Sequence, residues 1–340
     1  MRANSFVHGL TASVLSNSRH PIKNELNWLM LSNGAADLND NVIFFGFEGN
    51  HAEPSFVAKV PRLPANGWIV QTEYDRLVVM WRILGEDAPL HLPEPVALFD
   101  VGEQRVLVIS YVHGEDLLFS AKKRMWHDPA LVLELSLDVA HSLRALHNRA
   151  EVKLEEHEQV PCDFLQKLEL FKQIFTPAEK ETQALSELAH RFENQVGNYK
   201  TLIHGDVWHG NIIRGSAQNT LIFVDWQYSR WSRDVNLDVY LFLLAGALTV
   251  SRGSAEERAR STTKVLMGWR QKIIPTYLNA YGVVNRFSVL PARYGMLVCC
   301  VEKAVRAVRD FGYNQFDGLI WRNLLTELIN IPDGGFFDGI

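Results

Sequence analysis

The chain has 340 residues, 47% of them hydrophobic and 21% charged, and carries a formal net charge of −5. That length suits two domains or one large bilobal unit, and a balance without excess Lys and Arg argues against a nucleic-acid partner. The three cysteines, Cys162, Cys299 and Cys300, form one adjacent pair and no metal-type spacing, which excludes a disulfide framework or a zinc cage and points to reduced thiols in a cytoplasmic protein.

In chain order, the first twenty residues lack the continuous apolar core of a signal peptide. Five short runs follow that read as strands, each bounded by Gly, Pro, Asn or Asp: 27–34, 40–49, 54–62, 94–102 and 104–112. Between the third and fourth lies WIVQTEYDRLVVMWRILG, residues 68–85, in which Leu77, Val78, Trp81 and Leu84 recur at helical spacing and Gly85 supplies a stop. The expected order is three strands, a helix and two strands. After HGEDL (113–117) the periodicity turns helical. Asp128-Pro129, Thr176 with Glu179 and Ser254 with Glu257 all have the spacing of helix starts. The apolar run 239–250 is too short to span a bilayer, which needs ~20 residues, and reads as a buried helix; the last long helix is expected near 288–312. The resulting expectation is an α+β chain, with a small β-rich lobe over 1–112 (five strands and one helix) and a large helical lobe over 113–340. No membrane segment is expected, and oligomeric state is not readable.

A single stretch of the helical lobe departs from that pattern: LIHGDVWHGNIIRG (202–215), then LIFVDWQ (221–227). Two apolar segments flank the turn-rich GSAQN, which reads as a hairpin with polar groups at its outer ends. Such a hairpin would return Asn211 and Asp225 to one edge although fourteen positions separate them. Polar groups gathered at strand ends are what a catalytic site needs, and also what an ordinary loop contains.

HGDVWHGNII followed by FVDWQ resembles the catalytic and metal-binding segments of the aminoglycoside phosphotransferase / choline kinase-like family, small-molecule kinases with the protein-kinase fold. The likeness follows element order over roughly 25–320 and is sharp over 202–240. It implies ATP as phosphate donor, Asp206 as the base that takes the acceptor proton, and Asn211 and Asp225 as Mg²⁺ ligands. It also implies that Asp238 ties back to the catalytic loop, though an acid favoured by a helix N-terminus would look the same. Upstream, SFVAKV places Lys59 where kinases hold the α- and β-phosphates, with Glu73 of the next helix as its ionic partner; a lysine at a strand edge and a solvated helix glutamate are the plainer readings. By element order, Gly34 in the turn 31–40 would approach phosphate, and backbone at Ser110 and Val112 would bind the adenine edge.

Asp-Trp-Gln and His-Gly-Asp replace the D-F-G and H-R-D of protein kinases, and no long activation segment follows. A small hydroxylated molecule is therefore the expected acceptor. The second half of the chain is close to neutral, which argues weakly against a polycationic aminoglycoside. Trp208, Trp226 and Trp231 could stack on a ring or be core, and His209 could line the substrate mouth or pack. His204 reads as a brace of the loop. Lys303, Arg306 and Arg309 read as a solvated helix face, with anion binding as the alternative. Two other functions remain open: a nucleotide-binding module without catalysis, and a hydrolase with a metal on His204, Asp206 and His209.

Overall fold

The computed structural model describes residues 3–17, 25–31, 41–118, 128–153, 163–195, 199–216, 220–282, 289–311 and 316–332. The chain divides into two compact units, one made of Met1–Glu115 and Ile213–Ser229, the other of Asp116–Ile212 and Arg230–Ile340. Segment 213–229 thus belongs with the first third of the sequence.

The first unit contains helix α1 (Ala3–Asn17), strands β1 (Leu26–Leu31), β2 (Asn41–Glu48) and β3 (Phe56–Pro61), helix α2 (Gly67–Leu84), and strands β4 (Pro95–Val101) and β5 (Gln104–Ser110). The strands form an antiparallel sheet in the order β1-β2-β3-β5-β4. Register puts Ala58 opposite Val108 and Lys59 opposite Leu107, so period-two alternation sends these pairs to opposite faces. The Ala58 face is apolar, with Phe44, Phe56, Val60, Val96 and Val106, and is covered by Leu10 and Val14 of α1. The Lys59 face meets α2, whose buried stripe is Ile69, Val70, Glu73, Leu77, Met80 and Leu84. Helix α2 ends as expected, at Gly85 with φ 59°. Helix α1 was not expected and precedes the strand series.

Strands β6 (Gly114–Asp116), β9 (Ile212–Gly215) and β10 (Leu221–Phe223) form a second small sheet in the order β10-β9-β6. The predicted hairpin is therefore β9–β10, with Gly215 N–H donating to the Thr220 carbonyl at 2.8 Å.

The second unit contains α3 (Pro129–Arg149), β7 (Val152–Lys153), α4 (Asp163–Phe175), α5 (Glu179–Gln195), β8 (Tyr199–Ile203), β11 (Arg230–Ser232), α6 (Asn236–Thr249), α7 (Ala255–Trp269), α8 (Ile273–Gly282), α9 (Ala292–Phe311) and α10 (Phe316–Asn330). Helix α6 is apolar all round, as a helix enclosed by others must be, and packs against α7 and α9. Asp128 caps α3 by accepting Ala130 N–H at 2.9 Å, and Ser254–Glu257 form a complete capping box on α7. The third predicted start is corrected. Thr176 has φ 42° and lies outside the helix; α5 begins at Glu179, and Glu181 accepts the Ala178 N–H at 2.9 Å. The expected last helix is α9, and α10 follows it. Among the described residues no helix is long and apolar enough to cross a membrane.

Candidate active site

In the first unit, β3 presents Lys59 toward α2, and its ammonium donates to Glu73 Oε1 at 2.7 Å, Glu73 Oε2 at 2.9 Å and Asp225 Oδ1 at 2.9 Å. Glu73 is fully buried and also accepts the Trp226 N–H at 3.3 Å. Burial alone would lower the Lys59 pKa, but the charges of Asp225 and Glu73 outweigh it and raise the group above the ordinary lysine value. A buried ammonium is tolerated only when its donors are met in this way.

Asp225 follows β10 by two residues and adopts φ 67°, ψ 62°. The left-handed region is costly for a residue with a side chain, although Asp tolerates it better than most. Such strain clusters where a side chain must be aimed. Gln227 Nε2 donates to its second oxygen at 3.3 Å. The adjacent Trp226 is core, with its indole N–H on the Phe223 carbonyl at 2.9 Å.

Ser110 closes β5, and its hydroxyl accepts the Glu94 N–H at 2.8 Å. Val112 is half-buried in the segment that follows, after Tyr111, whose N–H goes to Ser55 O at 2.9 Å. Beside them opens a cavity of about 790 Å³ lined by Tyr111, His113, Glu53 and Arg214. Gly34 lies outside the described residues.

In the second unit, β8 delivers His204, Gly205 and Asp206. Gly205 has φ 78°, a conformation that glycine adopts without cost, and the turn directs two consecutive N–H groups onto Asp238. Asp238 accepts from His204 N and Gly205 N, both at 2.7 Å, and lies 3.1 Å from His147 Nε2. Burial would raise its carboxyl, but the His147 contacts prevail and its pKa is lowered. Asp238 therefore braces the loop from the first turn of α6, as the resemblance implied. His204 is the expected brace too, its Nδ1 accepting the Asp206 N–H at 3.2 Å.

Asp206 is buried. Its Oδ1 accepts from Lys303 Nζ at 2.8 Å and Arg306 Nη1 at 3.0 Å, while Arg306 Nη2 donates to the Gly205 carbonyl at 2.7 Å. Burial would raise this carboxyl, but the charges of Lys303 and Arg306 hold it down to about 2. Asn211 closes the turn His209–Asn211 and donates through Nδ2 to the Asp206 carbonyl at 3.0 Å and Oδ2 at 3.2 Å. That leaves its amide oxygen as the atom a cation would take.

The predicted solvated face at 303–309 is thus corrected for two of its three members. Only Arg309 is exposed, paired with Asp310 at 2.8 Å. Sequence reasoning missed Lys303 and Arg306 as parts of the Asp206 site, because a carboxylate 97 and 100 positions away leaves no local trace. His209 is fully buried against Phe242, at 5.3 Å between ring centroids, and burial lowers its pKa to about 3. It is a neutral packing residue. Among the described residues no cluster of three or more His, Cys, Asp or Glu side chains gathers as metal ligands, and the trio required by the hydrolase reading does not converge.

The sequence model of the phosphotransferase enzyme family (APH) matches residues 40–258. Among solved structures, the chain is similar to the aminoglycoside phosphotransferase APH(3'')-Id from Streptomyces rimosus, with 15% identity, a TM-score of 0.51, and 94% of this chain and 99% of that one covered. The same enzyme in complex with ADP and streptomycin matches at a TM-score of 0.50, with equal identity and coverage. No curated protein sequence is similar enough to count as a match. At that identity the structures establish the fold, an α+β kinase-like fold. Since the family match spans well over half of the sequence, the chain belongs to the phosphotransferase enzyme family and is a kinase with an alcohol group as acceptor.

Proposed function

We propose that this protein moves the γ-phosphate of ATP onto a hydroxyl of a small molecule in the cytoplasm, with Asp206 as the base. The observation that carries this reading is Lys59, an ammonium held between the buried Glu73 and the strained Asp225. That is the arrangement of a side chain kept charged and ready for phosphate. The complex of the S. rimosus enzyme with ADP and streptomycin supports the choice of nucleotide and of a small acceptor.

Lys59 orients the α- and β-phosphates, and backbone at Ser110 and Val112 takes the adenine edge. Asn211 and Asp225 fit Mg²⁺: one offers an amide oxygen because its nitrogen is engaged, the other a carboxylate. Bound there, the ion would neutralise charge on the phosphate oxygens.

In the transfer, the acceptor oxygen forms a bond to the γ-phosphorus while the bond from that phosphorus to the β–γ bridging oxygen breaks. ADP departs with the electron pair, and the hydroxyl proton ends on Asp206. A carboxylate held near 2 is a weak base in the ground state. Its proton arrives late, which suits a loose transition state in which positioning matters more than early deprotonation.

Mg-ATP should raise the melting temperature, by an amount equivalent to ~2.7 kcal/mol at one hundred times Kd, and the protein should hydrolyse ATP slowly. Asp206→Asn should keep that protection while lowering kcat by roughly 10²–10⁴. Turnover within tenfold of wild type in this variant removes Asp206 from the base role. Wild-type protein that Mg-ATP does not protect removes the kinase reading.

A further inference from the structure

Two full cations converge on one oxygen of the acid that is to receive the acceptor hydroxyl. Lys303 and Arg306 lie one helical turn apart on α9, so both reach Asp206 Oδ1 from the same face. They belong to a larger group. Glu302, on the same helix, is paired with Lys167 at 2.7 Å and Arg230 at 2.8 Å, and Arg306 is close enough for its charge to act on both Lys167 and Glu302. Lys167, Arg230, Lys303 and Arg306 thus lie among the carboxylates Asp206, Asp234 and Glu302. The Lys303 side chain is 20% exposed, with its Nζ 6.0 Å from the Trp321 ring centroid. An ammonium has three donors, and the bond to Asp206 uses one.

We propose that the acceptor carries its own anionic group, a carboxylate or a phosphate ester, and that Lys303 with Arg306 is the device that selects it. This rests on the reading of Asp206 as the residue that takes the acceptor hydroxyl. A hydroxyl and an ammonium bonded to the same carboxylate stand within roughly 8 Å of each other. At that range an anionic substituent on the acceptor gains, and a cationic one loses, a factor of about ten to thirty in affinity at surface-like screening. A polycation such as the streptomycin bound by the S. rimosus enzyme would be repelled here. Lys303 and Arg306 act on binding and selection; the proton still goes to Asp206, and no further reactant is needed.

The test is a panel of related acceptors that differ in charge, read as ADP release with Mg-ATP: gluconate and glucose 6-phosphate against glucose and glucosamine, and glycerate against glycerol and 3-amino-1,2-propanediol. Acids should react with KM at least tenfold below their neutral partners, and the amino compounds should react least. The two acid types separate carboxylate from phosphate selection. Lys303→Met should raise KM for the acids at least tenfold with a smaller change for the neutral partners, and Lys303→Glu should reverse the order in favour of the amines. A panel in which neutral or amino acceptors react as well as the acids overturns the proposal. So does a Lys303→Met protein that loses kcat equally on every acceptor, since that marks a purely structural residue. A second arm needs no nucleotide: acylation of Lys303 by acetic anhydride, followed by mass spectrometry. Gluconate or glucose 6-phosphate should slow it where glucose does not, and equal labelling in all cases overturns the proposal even if no panel member reacts. Failure of the kinase reading shows separately, as absence of Mg-ATP protection.

Discussion

Burial pushes the Asp234 carboxyl up to about 6, against the pull of its hydrogen bonds to Asn236 N at 2.8 Å and Nδ2 at 2.6 Å. The folded chain then holds this proton more tightly than the unfolded chain, whose Asp titrates near ~4. Asp234 therefore favours folding most below ~4, and that contribution fades as pH rises through about 6. Asp206 has the opposite sign: depressed to about 2, it adds stability above ~4 that is lost as pH falls toward 2. Asp234→Asn keeps an oxygen for the Asn236 N–H and should flatten the unfolding free energy between pH 4 and 6 by about 3 kcal/mol at most. Urea titrations at several pH values measure this; identical slopes for both proteins would clear Asp234 of the effect. At this scale the sequence was legible where chemistry is local. Asp206 and Asn211 stand out as members of one short motif, and Asp225 because a hairpin separates it from Asn211 by a countable distance. The placement of Lys303 and Arg306 on Asp206 depends on how α9 packs, and residue types alone say nothing of that.

Between elements, the structural unit that positions Lys59 is β3 against α2. Lys59→Met leaves Glu73 buried without its cation, and loss of one partner from a buried pair costs ~3–5 kcal/mol. Lys59→Met combined with Glu73→Leu should recover much of that, because the stranded charge is gone. Denaturant midpoints of the two single variants and the double complete the cycle, and a double variant as unstable as the sum of the singles would contradict the pairing. Both members were named in advance from the resemblance to kinases, Lys59 in SFVAKV and Glu73 in the helix after it, while residue type alone favoured a strand-edge lysine and a solvated glutamate. Helix α1 was not readable. Its sequence is rich in Ser, Asn and Thr and holds a glycine at position 9, all of which lower helix propensity. Its stability comes from Leu10 and Val14 packed on the sheet, and a Cβ at Gly9 would come within 2.9 Å of Val101, so the feature that reads as a breaker is what admits the helix to the sheet.

For the chain as a whole, the first unit is not a continuous stretch of sequence. It draws on Met1–Glu115 and then, after 97 residues of the other unit, on Ile213–Ser229. A boundary placed near 112 follows from the change in periodicity, yet periodicity cannot reveal that a later hairpin belongs with the earlier strands. Truncation tests this. A fragment ending at Glu115 lacks β9, β10 and Asp225, so it should expose the side of Glu73 that Trp226 covers and show no protection by Mg-ATP. A fragment of that length with wild-type melting and nucleotide protection would make 213–229 dispensable. Synthesis on the ribosome inherits the same arrangement. At ~5–20 residues per second, the opening third of the polypeptide must wait roughly 6 to 20 s for the segment that completes it, with its lysine and glutamate paired in the meantime without their third partner. Any helper that binds nascent chains has that interval in which to act.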